Sequence, residues 1–153
     1  MNQLPRVANI TKITNAIIDV TRLPLDTIKK DLQWDEDPVL EIVDFDNDDS
    51  PRTDSNTIGA FDPETPSTLF LNKNYLDGLE HNTSRQYEAD ALLFFIGVTI
   101  LHEYVHYGDY ENGNVYNFYG GGNDEGDIFE AKAYGSDLNV LNYEWFLLTR
   151  KTN

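Results

Sequence analysis

The chain has 153 residues and a mass of 17.5 kDa, a size at which roughly two-thirds of the unfolded surface is buried and one core can stand without staples. With no cysteine it has no disulfides and no thiolate metal ligands, and 40% hydrophobic with 12% aromatic residues excludes general disorder. Acids outnumber bases 27 to 11, and the net charge of −16 repels phosphate backbones and anionic bilayers, so neither nucleic acid nor membrane is an expected partner.

In chain order, Ile10, Ile13, Ile17 and Val20 follow helical spacing, and Pro24 should break the run, which predicts one or two short helices over residues 8–30. VLEIVDF (39–45) is β-branched and alternating and reads as a strand. The polar run at 46–56 reads as a loop. Two further strands are predicted at 56–61 and 68–71, separated by the turn sequence DPETP. Residues 83–106 form the strongest predicted helix, with Thr83 and Gln86 as a capping box and an apolar run on nearly every face. Its apolar core, residues 91–101, is too short to span a bilayer and suits a buried helix. Gly108 should end that helix, and 108–126, rich in Gly, Asn and Tyr, reads as a long loop. A last amphipathic helix is expected from Asp127 to about Arg150, with a kink at Gly135. Together these predict one α+β domain over 1–153. The N-terminal MNQLPRVANI lacks the apolar stretch of a secretion signal, so a cytoplasmic protein, or one exported by a signal-independent route, is expected.

The predicted central helix ends in His102-Glu103-Tyr104-Val105-His106, an H-E-x-x-H. Residues at i and i+4 share one helix face, so both imidazoles can address one metal ion. Zinc accepts such nitrogen ligands. Glu103, beside the first histidine, can reach a water at the metal without occupying a coordination position and act as general base. Two of the chain's three histidines lie in this motif. The third, His81, reads as an exposed loop residue.

On these residues the sequence resembles the zincin metallopeptidases, with the helix, the strands, the HEYVH helix and a following carboxylate helix in the order of a minimal zincin domain. The resemblance implies a zinc-dependent endopeptidase that hydrolyses peptide or protein substrates. It also implies an edge strand along the cleft, for which Thr68–Asn72 is the candidate. Asn112 stands where a metzincin would have its third histidine, so that pattern fails. The gluzincin pattern implies a Glu from the following helix, and Glu130 is the first choice, with Asp127 as competitor. Asp127-x-x-Glu130 also fits a capping box, an alternative role for Glu130. The aspzincin pattern is echoed loosely by Gly126, Glu130, Tyr134 and Gly135. Tyr134, one turn beyond Glu130, could donate to a developing oxyanion or be an ordinary core-edge residue. Tyr107, Tyr110, Tyr116, Phe118 and Tyr119 could line a cleft or pack the long loop. The compact chain also looks like the metallopeptidase effector domains of bacterial polymorphic toxins, which implies a cognate immunity protein. The alternative is an acidic inhibitor or immunity-type domain with a non-catalytic HEYVH.

Two acid-rich runs do not support calcium. Asp44, Asp46 and Asp48 match the first EF-hand positions, but Asp49 replaces the required Gly and Ser55 the bidentate Glu. GGGNDEGD reads as a flexible loop.

Overall fold

The computed structural model describes residues 4–33, 36–46, 57–81, 86–113, 124–139 and 142–143. The N-terminal third folds as α1 (Leu4–Val7), α2 (Thr11–Thr21) and α3 (Leu25–Asp31). The apolar stripe of α2 buries Ile13, Ala16 and Ile17. The helix stops at Arg22, whose left-handed backbone (φ 63) returns its N–H to Ile18 O. Pro24 then holds the extended backbone that precedes α3.

The sheet has three strands, β1 (Val39–Val43), β2 (Gly59–Phe61) and β3 (Thr68–Asn72), in the order β1-β3-β2. β1 runs parallel to β3 with Ile42 opposite Leu71, and β2 runs antiparallel with Ala60 opposite Phe70. The fold is therefore α+β with a small mixed sheet, as expected. Thr68–Asn72, however, is the central strand. Both of its edges are already paired, so it cannot be the edge along the cleft. Its buried Leu69 and Leu71 explain the position, since an inner strand lies deepest in the core. The β2–β3 connection is the DPETP turn, in which Asp62 accepts from Glu64 N–H and Thr65 Oγ1.

After α4 (Lys73–His81) comes α5 (Gln86–Glu111), packed against α2, α4, α6 and both β2 and β3. By length and composition α5 is apolar enough to cross a membrane, but here it is the core helix, with Phe95, Val98, Leu101, Tyr104 and Val105 buried. The Thr83 cap lies outside the described residues, and so do Tyr116, Phe118, Tyr119, Asp48, Asp49 and Ser55. His81 ends α4, where a loop was expected.

Two helix ends differ from expectation. α5 runs through Gly108 to Glu111, so Tyr107 and Tyr110 belong to the helix and pack against Phe61, with ring centroids 6.4 and 5.7 Å away. Gly108 is there for space. A Cβ would sit 2.8 Å from Leu23 Cδ1 and 2.9 Å from Thr21 Cγ2, where α2 and its following turn cross α5. The last helix, α6 (Glu125–Tyr134), stops at Gly135 in a left-handed conformation (φ 95), where a kink was expected.

Candidate metal centre

The site forms where the C-terminal half of α5 meets the first turns of α6. Helical spacing places His102 and His106 on one face of α5, with ring centroids 5.0 Å apart. Asp124 is the N-cap of α6, its carboxylate accepting from Asp127 N–H at 3.1 Å. The same Asp124 Oδ1 lies 3.1 Å from His102 Nε2 and 3.3 Å from His106 Nε2. Ligand atoms of these three residues all fall within 4.8 Å of one another.

The remaining imidazole nitrogens also face carboxylates. His102 Nδ1 is 2.8 Å from Glu130 Oε1, and His106 Nδ1 is 3.6 Å from Glu125 Oε2. A carboxylate only accepts, so Nδ1 of His102 carries the proton it donates to Glu130. With a metal in place of the Nε2 proton, Nε2 would be the coordinating nitrogen, an orientation in which a carboxylate fixes the tautomer from behind the imidazole. Glu130 Oε2 also accepts from Leu138 N–H, so this buried carboxylate ties His102 to the segment after α6.

These donors fit a divalent metal. Two ligands on bonds of about 2.0–2.1 Å in a tetrahedral site sit roughly 3.4 Å apart, close to the separations between Asp124 Oδ1 and each Nε2. Without an ion the same groups perturb one another. Burial alone would lower the His102 pKa, yet the hydrogen-bonded Asp124 and Glu130 carboxylates hold it well above its usual value. Burial would raise Asp124, but the two imidazoles hold it far below the carboxylate range.

Glu103 is buried beside the two histidines. Desolvation raises its pKa; His102 and His106 partly offset this, as does a hydrogen bond from the Phe61 backbone N–H. It lines a cleft of ≈ 160 Å³ with Ile58, Phe95, Thr99, Leu138 and Asp127 among its walls. β2 is the strand at this cleft, and its outer edge pairs with no other strand among the described residues.

The expected site residues thus separate. His102, Glu103 and His106 converge with Asp124. Glu130 touches the far nitrogen of His102 and is not the helix cap. Asp127 lies at the open cleft, its pKa raised by partial desolvation and by nearby Asp124. Tyr134 is buried edge-on against Phe94 and Phe129, with centroids 5.7 and 5.9 Å away, and burial raises its hydroxyl pKa. Sequence reasoning missed Asp124 and Glu125, which fall in the run read as loop. Asp124 preceding Asp127 by three residues, an N-cap spacing, was the available signal.

The family model for metallopeptidase toxin 3 matches residues 1–135. The chain belongs to the metallopeptidase toxin 3 family. A peptidase of the polymorphic-toxin kind follows, and with it a metal ion, for which the His102–His106–Asp124 cluster is present. No curated protein and no solved structure shows a significant match to the chain.

Proposed function

We propose that this toxin-family domain is a zinc endopeptidase whose metal is held by His102 Nε2, His106 Nε2 and Asp124, with Glu130 orienting His102 from behind. The observation that carries the reading is the single Asp124 oxygen within 3.3 Å of both Nε2 atoms. Asp124 replaces Glu130 as the favoured third ligand because Glu130 already engages His102 Nδ1 and Leu138 N–H. Zinc bound there would polarise a substrate carbonyl and bring the pKa of a water to about 7. Glu103 then acts as general base. Desolvation raises its pKa, which strengthens it as a base, and the Phe61 N–H fixes its orientation. It accepts the proton of the attacking water and passes it to the leaving amine. Tyr134 is assigned to packing.

A protein substrate would lie beside β2 at the cleft, along the side of the strand that no other described strand pairs with. One of its apolar side chains would enter the cleft between Ile58, Phe95 and Leu138. A cognate immunity protein would meet a strongly acidic surface and so carry basic groups. The alternative, an acidic inhibitor domain, needs no metal. Elemental analysis therefore tests the reading first, with about one zinc per chain expected. Glu103→Gln should keep that zinc while hydrolysis of an unstructured protein such as casein falls by roughly 10²–10⁴-fold. A zinc-free protein, or a Glu103→Gln variant with undiminished proteolysis, overturns it.

A further inference from the structure

We propose that Gly59 and Gly126 are positioning residues with separate tasks, Gly126 setting His102 for the metal and Gly59 setting Glu103 for proton transfer. The inference rests on the metallopeptidase reading above and adds two residues to it.

Gly126 lies in the first turn of α6. A Cβ there would be 2.3 Å from His102 Cγ, Cδ2 and Nε2 alike. Equal distances to three ring atoms put that carbon over the ring face, deep inside van der Waals contact. The imidazole has nowhere simple to go. Its Nδ1 is held at 2.8 Å by Glu130 and its Nε2 lies 3.1 Å from Asp124, both on the same stretch of chain as Gly126. A ring that retreats from a side chain at 126 stretches both contacts and leaves the position from which Nε2 meets His106 and Asp124. Only a glycine lets the α6 backbone lie flat against this imidazole.

Gly59 does the same for the base. A Cβ there would be 2.6 Å from Thr99 Cγ2, 3.0 Å from Glu103 Cγ and 3.3 Å from Phe70 O. Thr99 is buried, β-branched and bonded through its hydroxyl to Phe95 O at 3.1 Å, so it yields little. With Phe70 O behind and α5 in front, β2 itself must lift. Two residues along, the Phe61 N–H is hydrogen-bonded to Glu103, so lifting β2 deprives a buried carboxylate of its donor. None of the three proposed metal ligands is among the three atoms nearest to a Cβ at Gly59. Gly97, also on α5, has nothing within 4 Å of its added Cβ and supplies the control.

The experiment titrates zinc into chelator-stripped protein and follows casein hydrolysis by the zinc-loaded forms. Gly126→Ala should bind zinc at least about 10-fold more weakly, the scale on which disturbing a ligand's support acts. Gly59→Ala and Gly97→Ala should stay within about twofold of the parent. Zinc-loaded Gly59→Ala should lose at least about 10-fold in kcat with KM nearly unchanged, and its Phe61 amide should exchange faster. Adding Thr99→Ser removes the Cγ2 methyl, keeps the hydroxyl, and should restore both kcat and Phe61 protection. If Gly126→Ala does not fold, Gly126→Ala with His102→Ala should, because the clash is gone. Zinc loss in Gly59→Ala matching that in Gly126→Ala overturns the division of tasks. So does unchanged Phe61 exchange in Gly59→Ala, or a Thr99→Ser double variant no better than Gly59→Ala. Parent protein that binds no zinc would refute the metallopeptidase reading instead, while Phe61 exchange and the folding of the His102→Ala pair still decide whether each glycine positions its partner.

Discussion

α5 and α6 contribute to the same site in different ways. On α5 the functional groups are positioned by the helix itself, since 3.6 residues per turn puts His102 and His106 side by side wherever the helix lies. On α6 and its cap, four acids within seven residues (Asp124, Glu125, Asp127, Glu130) have four different surroundings. Asp124 faces both Nε2 atoms, Glu125 approaches His106 Nδ1, Glu130 bonds His102 Nδ1 and Leu138 N–H, and Asp127 lies at the open cleft. Chemically similar residues acquire distinct roles from docking alone. A motif within one helix is therefore readable from spacing, whereas ligands delivered by a second helix are not.

The acids of α6 offer the sharpest way to break this comparison. Asp124→Ser keeps a side chain that can cap α6 and removes the shared carboxylate. It should lose more metal affinity than any other α6 substitution, by over about 100-fold in zinc titration. Asp127→Ala should bind zinc normally. If Glu130→Ala instead strips the metal while Asp124→Ser retains it, the ligand and its support are exchanged.

Glu130→Gln should fall next in size. The amide can still accept from one neighbour, but it no longer fixes the His102 tautomer as a carboxylate does, so zinc affinity should drop by about 10–100-fold. Competition with a chromophoric chelator would measure it, and an unchanged affinity would reduce Glu130 to a structural tether for Leu138.

Within α5 the comparison can be sharpened by two identical substitutions. Gly108→Ala forces a methyl against Leu23 and Thr21 and should destabilise by about 1–3 kcal/mol in urea unfolding. Gly97→Ala meets open space in a helix interior and should stabilise by about 0.5–1 kcal/mol. Equal effects at both positions would contradict the packing account of the longer helix.

The smallest expected effect lies on the far side of α5. Tyr104 donates to Asp31 Oδ2 at 2.8 Å, linking the motif helix to α3. Burial raises the Asp31 pKa and this bond partly lowers it. A group whose folded pKa is raised stabilises the fold at low pH and loses that contribution as pH rises through the folded value. Tyr104→Phe removes the compensating donor. It should cost about 1 kcal/mol at pH 7, because Asp31 is partly exposed, and less near pH 3, where Asp31 is protonated. Urea midpoints at the two pH values would show the difference, and a loss larger at pH 3 has the wrong sign for this account.

The sequence by itself determined the α+β class, the helix around the HEYVH, the helical break at Pro24 and the shared face of His102 and His106. All of these follow from local periodicity and backbone sterics, which act over a few residues. Tertiary structure decided the rest. Thr68–Asn72 is central because Val39–Val43 and Gly59–Phe61 pair on either side of it, a contest between distant strands with no local signature. α5 passes through Gly108 because another helix crosses there, so a residue that locally reads as a stop is required for space. Asp124, and not Glu130, faces both Nε2 atoms because the N-terminal end of α6, and not its middle, meets them. That position is set by the burial of Phe129 and Ala133 in the core against which α5 and α2 also pack, and no spacing within residues 124–134 encodes it.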